Sequence, residues 1–288
     1  MLYPEARAAL ERAAGEPAVT DPAHDVAAER AAAREAARAE PREDVAAVAD
    51  VDLGGVPCRR YEPVDAAPGV VVHVHGGGFV FNDVEVHDGV SRRLANRTGR
   101  TVVSVDYRLA PEHRFPAAVD DLDAVVGALT DAGEEALYAH GDSAGANLAL
   151  VAALRHPGRF RALVLVYPFL DPEAAGESHR TETQGFDPAT VAWYWRQYAG
   201  DDPAAVTHPD LAPLRSERLA TLPPTFVATA EHDPLRDEGE LLATRLVEAG
   251  VPVVAVRCLG QLHGFWRHLA FPAAEPLMAQ TAAFLRAH

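Results

Sequence analysis

Three short stretches set reactive side chains among residues small enough to leave them room: Gly141-Asp142-Ser143-Ala144-Gly145, His232-Asp233-Pro234 and Leu262-His263-Gly264. A serine hydroxyl is a weak nucleophile at neutral pH and needs an adjacent base. A histidine can take its proton, and a carboxylate can hold that histidine's tautomer and stabilise the imidazolium. The pattern G-x-S-x-G around Ser143 suits a sharp strand-to-helix turn in which only small neighbours fit and the hydroxyl stands free. Such a pentapeptide is common by chance, but here Asp233 and His263 follow in the chain order Ser, Asp, His, and chance becomes a poor explanation. Upstream, His75-Gly76-Gly77-Gly78 closes an apolar run. Attack on an ester carbonyl generates an oxyanion that preorganised donors must meet. Glycines at 76 and 77 would let backbone N–H groups reach it, with the N–H of Ala144 as a third donor.

Strands must carry these residues. The runs 69–75, 100–107, 136–141, 161–168, 224–231 and 251–258 are short, rich in β-branched residues and almost continuously apolar, as strands buried on both faces are. Helical segments alternate with them, which predicts a mostly parallel sheet with helices on both faces. Two earlier segments, 46–53 and 56–64, read as a hairpin turned at Gly54-Gly55. In open parallel sheets ligands bind beyond the carboxyl ends of the strands, and Gly76, Ser143, Asp233 and His263 all follow strand ends. Residues 171–222 break the alternation as an insertion with one helical stretch. Residues 1–45 are rich in Ala, Arg and Glu, and within them 25–40 has strong helix formers but few large apolar groups and would make a poor core helix.

Composition narrows the chemistry. The 288 residues carry a net charge of −16, which disfavours nucleic acid and anionic membrane surfaces as partners. All 26 basic residues are arginine, so Schiff-base and general-base chemistry on lysine is excluded. Cys58 and Cys258 lack a C-x-x-C partner and read as reduced, buried small hydrophobes. No signal-peptide core or membrane-length apolar run is evident. A cytoplasmic location is expected, with neither cofactor nor metal. The pair His73-Val74-His75 is a weak metal signal without further ligands, and its rings are expected on opposite strand faces.

The stretches "HGGGFV", "DYRLAPEHRFPAAVDD", "GDSAGANLAL", "DPLRDEG" and "HGF", in that order over residues 73–265, resemble the hormone-sensitive-lipase-like (bacterial family IV) esterases of the α/β-hydrolase superfamily. The resemblance implies an α/β fold with a mostly parallel eight-stranded sheet flanked by helices. Residues 46–288 would form the catalytic domain, and residues 1–45 a helical cap segment joined by part of 171–222. It implies Ser143 as nucleophile, His263 as general base, Asp233 as its partner, and Gly76, Gly77 and Ala144 as the oxyanion hole. A small-molecule ester would be the substrate, and a homodimer could pair through the last strand and the helix before it. Ala146 and "FNDVEVHD" depart from the family's usual glycines.

Other residues compete for roles. Asp237 reads as a first-turn helix acid, Asp142 as a loop-holding group, and His75 as a support for the glycines. Val191, Tyr194, Trp195 and Tyr198 follow helical spacing and read as a packing stripe, whereas Phe79, Trp193 and Phe265 are the candidates for the acyl pocket. Arg108 and Glu112 read as braces. The leading function is a serine carboxylesterase for short- to medium-chain acyl esters. The alternatives are a deacetylase or amidase for one small metabolite, or a non-catalytic ligand-binding relative.

Overall fold

The computed structural model describes residues 1–15, 17–202 and 204–288. The apolar runs form strands β1 (Ala47–Leu53), β2 (Val56–Glu62), β3 (Ala67–Val74), β4 (Arg100–Val105), β5 (Leu137–Asp142), β6 (Phe160–Val166), β7 (Thr225–His232) and β8 (Val253–Leu262). The helices are α1 (Pro4–Ala13), α2 (Val26–Arg38), α3 (Asp88–Thr98), α4 (Ala117–Asp131), α5 (Ala144–Arg155), α6 (Ser178–Thr181), α7 (Pro188–Ala199), α8 (Arg236–Glu248) and α9 (Ala274–Ala287). The strands make one eight-stranded sheet in the order β1-β2-β4-β3-β5-β6-β7-β8. Only β2 runs against its neighbours, and the hairpin turns at Gly54 and Gly55, both at positive φ where glycine is unstrained.

Every residue of β5 is buried, and so are Val70 to Val74 of β3, because both faces of the sheet are covered. One apolar cluster joins the sheet to α4, α5 and α8 through residues such as Val125, Leu148 and Leu242. The opposite cluster packs Val90 and Leu94 of α3 with Leu277 and Met278 of α9. Residues Ala144 to Leu154 of α5 are all buried, as befits a helix that is small and apolar on every side.

Strand register then brings the reactive residues together. Val74 pairs with Gly141, so the glycine loop leaves the sheet beside the turn that carries Ser143. His232 pairs with Leu262, which sets Asp233 next to His263.

The N-terminal helices are tied down by arginine. Arg30 of α2 donates to the carbonyls of Val80 and Ala110, both at 2.7 Å, and pairs with Glu112 at 2.8 Å. Arg34 pairs with Asp83. Tyr3 N–H donates to Gly260 O at 3.2 Å, which anchors the start of α1 to β8. Apart from Ala37, no residue of α2 is buried, in line with its sparse apolar content.

Candidate active site

Ser143 sits between β5 and α5 at φ 55° and ψ −122°, a backbone conformation that costs a non-glycine residue about 1–3 kcal/mol. The surroundings hold it there. Its N–H donates to Val166 O at 2.9 Å, and its carbonyl accepts from Ala146, Asn147 and Phe169. The flanking glycines are a packing requirement. A Cβ on Gly141 would lie 2.3 Å from Gly145 O, and one on Gly145 would lie 2.1 Å from Val74 O.

Ser143 Oγ lies 2.9 Å from His263 Nε2, and His263 Nδ1 lies 2.8 Å from Asp233 Oδ2. Asp233 is wholly buried, and its other oxygen accepts the N–H of Leu235 at 2.8 Å. The His263 ring packs against Tyr167 and Phe186, at centroid distances of 4.6 and 5.0 Å. With its tautomer set by Asp233, the imidazole presents an acceptor to the serine hydroxyl.

The glycine loop corrects one expectation. Gly76 N–H is already donated to Asp142 Oδ1 at 3.0 Å, so it has no hydrogen left for an oxyanion. Gly77 and Gly78 line the cavity above Ser143 instead, and their N–H groups have no hydrogen-bond partner among the described residues. Each glycine is demanded by a different neighbour. A Cβ would come 2.6 Å from Asp142 Oδ2 at Gly76, 2.1 Å from Phe81 O at Gly77, and 2.1 Å from the Tyr194 ring at Gly78. At each glycine the protein's own atoms, and not a substrate, occupy the space a side chain would need.

His75 supports this loop from below. It donates from Nδ1 to Gly76 O at 2.9 Å and stacks on Tyr107 at 4.3 Å, while Tyr107 Oη donates to His75 O. Asp142 takes the loop-holding role through Gly76, and burial pushes its carboxyl up to about 6. Asp237 accepts from Ser178 N–H at 2.7 Å in the first turn of α8. Arg108 pairs with Asp121 and Glu112 with Arg30, so both act as braces.

Sequence reasoning missed a buried run of imidazoles. His140 Nδ1 meets His73 Nδ1 at 3.0 Å, His73 Nε2 meets His87 Nδ1 at 3.3 Å, and His87 Nδ1 stands 3.7 Å from Asp142 Oδ1. All three rings are fully buried, and burial holds each well below the usual imidazole range, so they are neutral and can both donate and accept. The expectation that His73 and His75 face opposite ways fails on strand geometry, since residues two apart share a face. Both rings pack against His87, each 5.5 Å away. Donor atoms of His73, His87 and Asp142 come within 4.8 Å of one another, a spacing that a cation could bridge, but the two imidazoles are joined by a hydrogen bond.

The cavity over Ser143 measures about 930 Å³. Its walls come from both peripheral segments: Leu10 and Val19 from the N-terminal region, Phe186 and Tyr194 from the insertion. None of the three expected aromatic residues lines it. Phe79 has a positive φ of 65°, which turns its ring into the core to stack on Tyr198 at 3.8 Å. Trp193 lies against Phe81 and His24. Phe265 is fully buried against Tyr167. Tyr194, assigned to the packing stripe, borders the cavity, while Val191, Trp195 and Tyr198 are buried as that stripe requires.

Residues 71–267 match the protein family described as alpha/beta hydrolase fold. The chain belongs to this family, and the resemblance to its hormone-sensitive-lipase-like branch holds. An arylesterase of Saccharolobus solfataricus is 37% identical over 79% of this chain and 80% of its own. The carboxylesterase NlhH of Mycobacterium tuberculosis is 36% identical over 81% of this chain and 79% of its own. The solved structure of a hyperthermophilic esterase from Pyrobaculum calidifontis superposes with a TM-score of 0.91 at 36% identity, covering 99% of this chain and 98% of that one.

Proposed function

We propose that this protein is a serine carboxylesterase acting on short- to medium-chain acyl esters. The observation that carries the reading is the unbroken path from Ser143 Oγ through His263 to Asp233, at 2.9 and 2.8 Å, opening on a cavity bordered by the N–H groups of Gly77 and Gly78, which are unpaired among the described residues. Similarity to relatives named as esterases supports it. In this mechanism Ser143 attacks the acyl carbonyl as His263 takes its proton. The N–H groups of Gly77, Gly78 and Ala144 receive the oxyanion, and His263 returns the proton to the leaving alcohol. Water then repeats the steps on the acyl-enzyme.

The N-terminal segment and the insertion act as a cap in this reading, because their side chains close the cavity over Ser143. Among the described residues no helix is long and apolar enough to cross a membrane. Two unbridged cysteines suit a reducing compartment, and a cytoplasmic location is part of the proposal. So is a homodimer through edge strand β8 and helix α8, where Val254, Leu259, Leu241 and Val247 are exposed; its mass in solution decides that point.

Hydrolysis of 4-nitrophenyl esters from acetyl to dodecanoyl tests the function. Activity should peak at short to medium chains, since 930 Å³ bounded by Tyr194, Phe186 and Leu10 limits acyl length. No turnover across the series would sink the reading. Gly78→Ala tests the corrected donor set. The new Cβ must push the loop off Tyr194, so kcat should fall by about 10²–10³ with folding retained. A kcat within threefold of wild type, in a variant of normal melting temperature, would remove Gly78 from the oxyanion site.

A further inference from the structure

One charged side chain in the cavity wall has no part in the hydrolytic steps. Arg267, two residues past the buried Phe265, lines the same cavity as Ser143 and His263. It also borders a second, smaller cavity of about 210 Å³ with Glu40, Glu43 and Arg93. The Arg267 guanidinium donates to His268 Nε2 at 3.1 Å. Burial and the neighbouring arginines push the His268 imidazole down to about 4, so it is neutral and accepts that bond without offsetting the charge. Arg93 adds to the positive field and does not relieve it. It donates to the Arg267 carbonyl at 2.7 Å, and its Nη1 is buried without a partner. Glu275 and Glu43 act on Arg93 from a distance, but among the described residues neither arginine forms a salt bridge with a carboxylate.

The other ionisable groups facing the cavity do not supply one. Asp187 is used in capping α7, where it accepts Thr190 N–H at 2.8 Å. Asp142 lines the same cavity and feels the Arg267 charge, but its Oδ1 is taken by Gly76 N–H and no salt bridge joins it to Arg267 among the described residues. His87 is neutral, and His263 is bound to Asp233. Arg267 is thus the one fixed positive charge among the described residues lining the cavity. Leu10, Val19, Phe186 and Leu262 form apolar parts of the same wall, and partial exclusion of water there raises the worth of a charge. In a chain of net charge −16 the overall field repels anions, so only such a local cation could receive one.

We propose that the preferred substrates are esters that carry a carboxylate remote from the scissile bond, bound by Arg267 at the cavity wall. This rests on the esterase reading and specifies its substrate class. A guanidinium matches a carboxylate in shape and charge, and its bond to neutral His268 leaves further N–H donors for the ligand.

Two matched pairs test it. Mono-(4-nitrophenyl) adipate beside 4-nitrophenyl hexanoate places the charge on the acyl side, and 4-acetoxybenzoate beside phenyl acetate places it on the alcohol side. For each pair the ratio of kcat/KM, anionic over neutral, is compared between wild type and Arg267→Gln. In one pair the ratio should fall by about 10- to 100-fold. Arg267→Lys should recover part of it, whereas a structural role would lower both members of each pair together. Ratios within twofold of wild type in both pairs, with the neutral esters still hydrolysed, would overturn this inference alone. An absence of Ser143-dependent turnover of all four esters would overturn the esterase reading and this inference with it.

Discussion

Ser143→Ala should lower kcat for 4-nitrophenyl esters by about 10⁶ while leaving the melting temperature almost unchanged. Both halves of this expectation come from the same turn. The side chain supplies the bond-forming atom, with Oγ 2.9 Å from His263 Nε2, and no other hydroxyl among the described residues is hydrogen-bonded to that ring. The backbone at 143 supplies the structure, through bonds to Val166, Ala146, Asn147 and Phe169 that an alanine keeps. Alanine also accepts the positive φ at a cost close to that of serine, so the elbow is retained. The oxyanion donors and the cavity survive, and a residue of catalysis about 10³–10⁴ above water should survive with them. Mass spectrometry gives a second readout. An aryl phosphonate should add covalently to wild type and fail to add to the variant. A variant with kcat within tenfold of wild type would require a different nucleophile.

Much of this arrangement was legible because it depends on local pattern and chain order. Valine-rich runs separated by helical segments force a parallel sheet, and a parallel sheet delivers whatever follows each strand to one edge. Ser143, Asp233 and His263 could therefore be brought together without knowing a single contact. The departures arise where side-chain direction or an occupied hydrogen bond decides. Gly76 and Gly78 are indistinguishable as letters. What separates them is that the Gly76 N–H points at Asp142, whereas Gly78 lies under the Tyr194 ring. Phe79 lies next to the glycines in sequence, yet its positive φ turns the ring away from the substrate side.

The pocket wall was the least legible part. Leu10, Tyr167 and Tyr194 come from three separate segments, and no spacing rule links them. Tyr194 illustrates the difficulty. It falls on the same helical stripe as Trp195 and Tyr198, but its ring closes over Gly78 while the other two are buried in the core. The buried histidines carry a signal in the sequence itself. Residues 73 and 75 share a strand face, and the register puts His73 opposite His140. That pairing alone would have pointed to an imidazole cluster under the site.

Asp233→Asn should cost about 10⁴ in kcat, and the hydrogen bonds around this residue explain why the change would be so damaging. Asp233 Oδ1 accepts the Leu235 N–H at 2.8 Å, and Oδ2 faces His263 Nδ1 at 2.8 Å. An asparagine at this wholly buried position must place its carbonyl oxygen toward Leu235, because an NH₂ there would meet another donor. Its NH₂ then faces His263, and the imidazole responds by accepting at Nδ1 and carrying its proton on Nε2. The serine hydroxyl is left facing an N–H that cannot take its proton. Geometry survives while the tautomer is wrong, so kcat should collapse with little change in KM and in melting temperature. Asp233→Ala, which imposes no tautomer, should retain more activity than the isosteric asparagine. The ranking of these two variants is the measurement that matters. An asparagine variant as active as wild type would transfer the orienting role to another carboxylate, and an alanine variant far worse than asparagine would overturn the tautomer account, since both variants lack the charge and only asparagine keeps a hydrogen bond to His263.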